Sequence, residues 1–164
     1  MSTRDRGQVQ NRTGRAIARM MQRAVMASHS RLYQLSGGRI GGRMFNSPVL
    51  LLTTTGRKTG KQRVTPLLYL LDGDSMVVVA SNGGAAKDPT WWLNLQEQPL
   101  ARVQVGQKRL DVSAQQATPE LKHRLWNLLT KMYPPYTSYQ QRTARPIPVI
   151  ILTPITSNHS THAR

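Results

Sequence analysis

The stretch PVLLLTTTGRKTGKQRVTPLLYLLDGDSMVVVA, residues 48–80, decides the fold. Short apolar runs are cut by Gly, Asp and Pro, which is the punctuation of β-structure. Pro48 to Gly56 reads as a strand, Arg57 to Lys61 as a basic turn, and Arg63 to Leu71 as a second strand. Asp72-Gly73-Asp74 then turns the chain into a third strand, Ser75 to Ala80, so three consecutive antiparallel strands are expected.

Working outward, Asp88 reads as an N-cap with Pro89 at the first helical position, starting a short helix that carries Trp91, Trp92, Leu93 and Leu95 until Pro99. A hairpin follows, Ala101–Val105 and Lys108–Ala114 about Gly106-Gln107. Thr118-Pro119-Glu120 opens a helix whose expected apolar face is Leu121, Leu125, Leu128 and Met132, ended by Pro134-Pro135. A last strand runs from Ile147 to Leu152, with Pro146 and Pro148 marking an edge. Six strands with tight turns and few helices point to a small antiparallel barrel, not to a doubly wound sheet.

The 164 residues suit one domain with tails: 1–35 a basic N-terminal helix and tail, 36–154 the barrel, 155–164 a flexible tail. The absence of Cys excludes disulfides, Cys-ligated zinc, iron-sulfur clusters and thiol catalysis. His29, His123, His159 and His162 are scattered without carboxylates at ligand spacing, so no metal site is expected. No apolar run approaches the ~20 residues of a membrane span, and the start lacks the apolar core of a signal peptide. The cytoplasm or the inner face of the plasma membrane is therefore the expected location.

The net charge of +16 calls for an anionic partner, and +12 of it falls within residues 1–66. There Arg12, Arg15, Arg19 and Arg23 line one stripe of a helix, with Ile17, Met20, Met21, Ala24 and Val25 opposite, ending near Ser36-Gly37-Gly38. Such a helix either packs on its own domain or lies on an anionic bilayer. Nucleic acid is disfavoured, because Tyr33 and Phe45 are the only aromatic residues among those cations.

Arg57, Lys58, Lys61 and Arg63 put four cations on one turn, with Gly56 and Gly60 letting backbone N–H groups converge on an oxyanion. The spacing is not that of a P-loop, and Gln62 stands where that motif needs Ser or Thr. Ala80-Ser81-Asn82-Gly83-Gly84 ends the third strand in small residues that permit close approach of a flat ligand. Tyr133, Tyr136 and Tyr139 step by three beyond the last helix, where they line a pocket or seal the barrel end. Neither a carboxylate pair nor a Ser-His-Asp set is present, which favours chemistry brought by a cofactor.

Leu51 to Leu67, Val79 to Gly84, Asp88 to Leu95, Met132 to Tyr139 and the glycine-rich Ser36 to Gly42, taken together, resemble the deazaflavin-dependent nitroreductase family over residues 31–154. The resemblance implies a split β-barrel, mainly β within α+β, that binds coenzyme F420, and hydride transfer to a quinone, a nitroaromatic or an enone. It implies that Arg57, Lys58, Thr59 and Arg63 hold the phosphate and that Val64, Thr65 and Pro66 continue that wall. Val79, Ala80, Ser81 and Asn82 would lie against the ring, and Thr90, Trp91, Trp92, Leu93 and Asn94 would close the other side of the cleft. Tyr136 would touch cofactor and substrate, Tyr133 and Tyr139 would line the substrate side, and Tyr136, Tyr133 and Ser81 are the catalytic candidates. Asn82 and Thr90 stand where other members carry Lys or Met. The same barrel with FMN, a carrier without catalysis, a homodimer, and membrane contact through the basic helix all remain open.

Overall fold

The computed structural model describes Ser30 and residues 32–155. Most of the expected basic helix, with its four arginines, lies outside these residues. Its C-terminal end is present as α1, whose described helical residues are 30 and 32–36. Gly38 N–H bonds to Tyr33 C=O at 2.9 Å and Gly37 takes a φ of 59°, so the two glycines close the helix as expected. Tyr33, only 1% exposed, fastens α1 to the barrel: its hydroxyl donates to Val49 O and accepts from Gly106 N–H, both at 2.9 Å.

The chain continues as β1 (Arg43–Met44), β2 (Ser47–Thr55), β3 (Gln62–Leu68), β4 (Leu70–Asp72), β5 (Ser75–Val79), a 3-10 turn (Asn82–Gly84) and α2 (Thr90–Glu97). After β6 (Leu100–Val105) and β7 (Lys108–Gln116) come α3 (Pro119–Met132), α4 (Pro135–Gln141) and β8 (Val149–Pro154). All pairings are antiparallel, in the order β1-β2-β6-β7-β8-β5-β4 with β3 on the other edge of β2. This curled sheet is the expected split β-barrel.

Period-two alternation assigns each strand's side chains to different layers. Leu50, Leu52, Met76, Val78, Ala80, Ile150 and Leu152 fill the barrel interior with Trp91, Trp92 and Leu95 of α2. Val77, Val79 and Val149, on the opposite face, pack against Leu125 and Leu129 of α3 and Tyr136 of α4. Val49 and Leu51 turn outward against Tyr33.

Four expectations need correction. The second strand is broken at Tyr69, which is 7% exposed, packs in the barrel interior and bonds its N–H to Pro48 O. The third strand therefore pairs with β8 on one side and keeps only short β4 on the other. The apolar stripe of α3 runs through Leu129, fully buried, while Leu128 is 42% exposed. Leu129 lies within 40° of Leu125 on the helical wheel and Leu128 at the stripe's edge. Asp88 does not cap α2, since Pro89 occupies that position and the Asp88 carboxylate is held by Arg145. Ile155, assigned to the tail, still donates its N–H to Asp111 O, extending the β7 edge. Thr118, in contrast, caps α3 as read, accepting from Leu121 N–H.

Candidate functional site

The β2–β3 hairpin displays Arg57, Lys58, Thr59 and Lys61 to solvent. Its shape comes from backbone: Gly56 N–H bonds to Lys61 O at 2.8 Å, and Gly60 N–H to Gly56 O at 2.7 Å. A Cβ on Gly56 would stand 3.0 Å from Thr59 Oγ1 and 3.1 Å from Lys61 O, so glycine lets the turn close tightly on itself. The ion pairs among the described residues all lie elsewhere, leaving Arg57, Lys58, Lys61 and Arg63 without an acidic partner.

Beneath the turn sits Asn94 of α2, 2% exposed. Its Oδ1 accepts from Arg57 N–H at 3.2 Å and from Arg57 Nη1 at 3.4 Å, while its Nδ2 donates to Thr54 Oγ1 at 3.1 Å. Asn94 thus positions the turn and offers a ligand almost no surface. Trp91 and Trp92, 6% and 5% exposed, are core residues, so of residues 90–94 only Thr90 and part of Leu93 are accessible.

The register divides residues 63–66 between two faces of the sheet. The register pairs Arg63 with Thr54 and Thr65 with Leu52, on the barrel side, whereas Val64 and Pro66 pair with Thr53 and Leu51 on the outer side. There Val64 borders a shallow groove of about 680 Å³ together with Thr53, Gln62, Arg102 and Gln104. Arg63 and Thr65 thus share one face of β3, and the Val64 and Pro66 side chains take the other.

β5 delivers Val79, Ala80 and Ser81 to a turn in which Asn82, Gly83 and Gly84 take φ values of 48°, 63° and 79°. Three consecutive left-handed residues suit Asn and Gly and disfavour a long or branched side chain. The Asn82 side chain donates to Lys87 O at 2.9 Å. A Cβ on Gly84 would lie 2.7 Å from Tyr139 O, so this glycine brings the turn against α4.

Pro134 and Pro135 end α3 at Met132 and start α4, placing Tyr136 and Tyr139 on one helical face beside Tyr133. Ring centroids are 5.0 Å apart for Tyr133 and Tyr136 and 6.2 Å for Tyr136 and Tyr139, both edge-on. Tyr133 and Tyr139 share a hydroxyl–hydroxyl bond of 3.2 Å. Burial, reinforced by Tyr139, pushes the Tyr133 phenol up to about 12, and burial pushes Tyr136 up as well. Both remain neutral donors at physiological pH. The Tyr136 side chain is 5% exposed and its hydroxyl has no hydrogen-bond partner among the described residues, an orphaned polar atom suited to a ligand.

Sequence reasoning missed Phe45 and Arg145. Phe45 is held at a φ of 51° at the β1–β2 turn with its ring 5.5 Å from that of Tyr133, extending the tyrosine cluster. Arg145 reaches back to the residue 80–88 segment, and no spacing signal links positions so far apart.

The model of the F420H(2)-dependent quinone reductase family matches residues 25–154. An F420H(2)-dependent quinone reductase of Mycobacterium tuberculosis is 41% identical over 145 residues, spanning 84% of this chain and 97% of the relative. A solved F420-H2 dependent reductase superposes with a TM-score of 0.60 at 42% identity, over 64% of this chain and 93% of that one. A solved domain-swapped dimer gives 0.62 at 36% identity, over 77% and 94%. HutZ, a heme storage protein of Vibrio cholerae, gives 0.52 at 14% identity over 66% and 82%, a likeness of fold alone.

Proposed function

The chain belongs to the F420H(2)-dependent quinone reductase family, and from that premise we propose that it binds reduced F420 on the cationic turn and reduces a quinone beside the tyrosine cluster. The observation that carries the reading is the set of cations on the β2–β3 turn, unpaired among the described residues and braced from below by Asn94. A turn of this kind fits a phosphate and an anionic tail, and the orphaned Tyr136 hydroxyl fits a polar ring substituent or acceptor oxygen.

Arg57, Lys58, Thr59 and Arg63 would hold the phosphate, and Val79 to Asn82 would face the ring, largely by backbone. Bound there, the reduced deazaflavin supplies the hydride. The protein's part is alignment and charge stabilisation. Tyr133 and Tyr136 would present neutral hydroxyls to the oxyanion that forms on the acceptor, with Ser81 as a further donor. Their raised proton affinity makes them hydrogen-bond donors first, with the final proton drawn from water through the Tyr133–Tyr139 hydroxyl pair. Activated nitroaromatics and enones present comparable electron-poor systems and extend the acceptor range.

Two finer readings accompany this one. The basic helix would rest on anionic lipid, placing the site beside lipophilic quinones. A homodimer is consistent with the domain-swapped dimer among the related structures.

The test is a tryptophan-fluorescence titration with F420 and, separately, with FMN. Saturable F420 binding is expected, with Lys58→Ala and Arg63→Ala each weakening it about 10-fold or more, the loss of one charge-assisted bond of ~1.5–3 kcal/mol. Preference for FMN, or unchanged affinity in both variants, would overturn the reading.

A further inference from the structure

Arg145 lies on the 142–148 segment between α4 and β8, and its side chain is only 15% exposed. Its guanidinium donates from Nε to Ala85 O at 3.0 Å, from Nη1 to Asp88 Oδ1 at 2.7 Å, and from Nη2 to Ala80 O at 3.2 Å and Ser81 O at 2.9 Å. One rigid planar fork therefore fixes both ends of the residue 80–88 segment, as a Lys ammonium would not. The backbone of Arg145 is in turn held from α4, since Gln140 Nε2 donates to Arg145 O at 2.9 Å and Gln140 Oε1 accepts Ile147 N–H at 2.9 Å.

The two successive carbonyls it captures have a geometric consequence. In a trans peptide the N–H points opposite to the C=O. With Ala80 and Ser81 C=O turned onto Arg145, the N–H groups of Ser81 and Asn82 point the other way. Neither has a hydrogen-bond partner among the described residues, although Ser81 is 9% exposed.

We propose that Arg145 is the positioning residue of the site: it sets the two peptide planes so that Ser81 and Asn82 N–H converge on a ring carbonyl or developing oxyanion, and it couples this turn to the tyrosine helix. The proposal rests on the ring site proposed above. Asp88 serves as its orienting partner, which accounts for an N-cap-like Asp that caps nothing.

The experiment compares Arg145→Gln, Arg145→Lys and Arg63→Ala with the parent for apo-protein melting, F420 affinity, kcat at saturating F420H2, and hydrogen exchange at Gly84 and Ala85, whose N–H groups close the turn onto Ser81 O and Asn82 O. For Arg145→Gln, kcat should fall about 100-fold, the scale of an ångström-sized misplacement. F420 affinity should change less than about 5-fold, and exchange at Gly84 and Ala85 should accelerate. Arg145→Lys should recover little, and Arg63→Ala should weaken F420 binding without accelerating exchange at Gly84 and Ala85. Lowered melting with kcat and exchange at those two amides unchanged, or full rescue by Lys, would overturn the proposal. A parent that does not bind F420 would sink the ring-site reading, whereas the exchange readout would still decide whether Arg145 sets the turn.

Discussion

Asn94 offers a substitution that separates holding the turn from neutralising it. Asn94→Ala removes the acceptor of Arg57 N–H and the donor to Thr54 Oγ1, a group 1% exposed. An unsatisfied buried hydroxyl costs ~1–3 kcal/mol and the small cavity adds to it. About 2 kcal/mol in a domain of this size lowers Tm by roughly 6–10 °C. Asn94→Asp keeps the shape. Its carboxylate accepts the same two Arg57 donors, now with charge, and Thr54 can rotate to donate. Two charge-assisted bonds offset the desolvation of the new carboxylate, so Tm should stay within about 3 °C of the parent. Its effect on binding should be large, because Arg57 Nη1, already 3.4 Å from Asn94 Oδ1, becomes an internal ion pair and is withdrawn from the phosphate. Losing one exposed charge-assisted contact, at the low end of ~1.5–3 kcal/mol, weakens F420 about 10-fold. Fluorescence titration at two salt concentrations beside differential scanning calorimetry reads both quantities. A folded Asn94→Asp protein with parental F420 affinity would refute the placement of Arg57 at the phosphate.

Gly83 and Gly84 share left-handed backbone, but only Gly84 faces Tyr139. Gly83→Ala should cost ~1 kcal/mol, the strain of a left-handed alanine, and Gly84→Ala at least twice that in thermal denaturation; equal losses would mean the turn does not press on α4. The tyrosines predict alkaline weakening: their folded proton affinity is raised, so stability is fully present below about pH 10, where the unfolded phenols ionise, and is lost as pH rises through the folded value of about 12 for Tyr133. The urea midpoint should fall across that window and fall less in Tyr136→Phe, and a midpoint flat to pH 12 would contradict the burial argument. A variant with Arg12, Arg15, Arg19 and Arg23 changed to Gln should sediment with anionic liposomes much less than the parent does, and equal sedimentation would remove the lipid role of the helix.

What could be read along the chain was local. The apolar run from Pro48 to Gly56 forecast a strand, and Arg57 to Lys61 forecast a turn crowded with cations. The Schellman end of α1 and the Thr118 cap need only neighbours a few residues away. Composition excluded thiol chemistry for the same reason, since a missing residue type is missing in every fold.

Contacts between distant segments were decided by tertiary structure. That Val64 and Arg63 face opposite layers follows from the register with β2, and that Leu129 is buried in preference to Leu128 follows from where α3 meets β5 and β8. Asn94 beneath the turn and Arg145 behind Ser81 bridge residues that only the curl of the sheet brings within hydrogen-bond reach. Short-range periodicity and capping chemistry are properties of the chain, whereas the partner of a buried polar group is whichever neighbour the packed barrel places beside it.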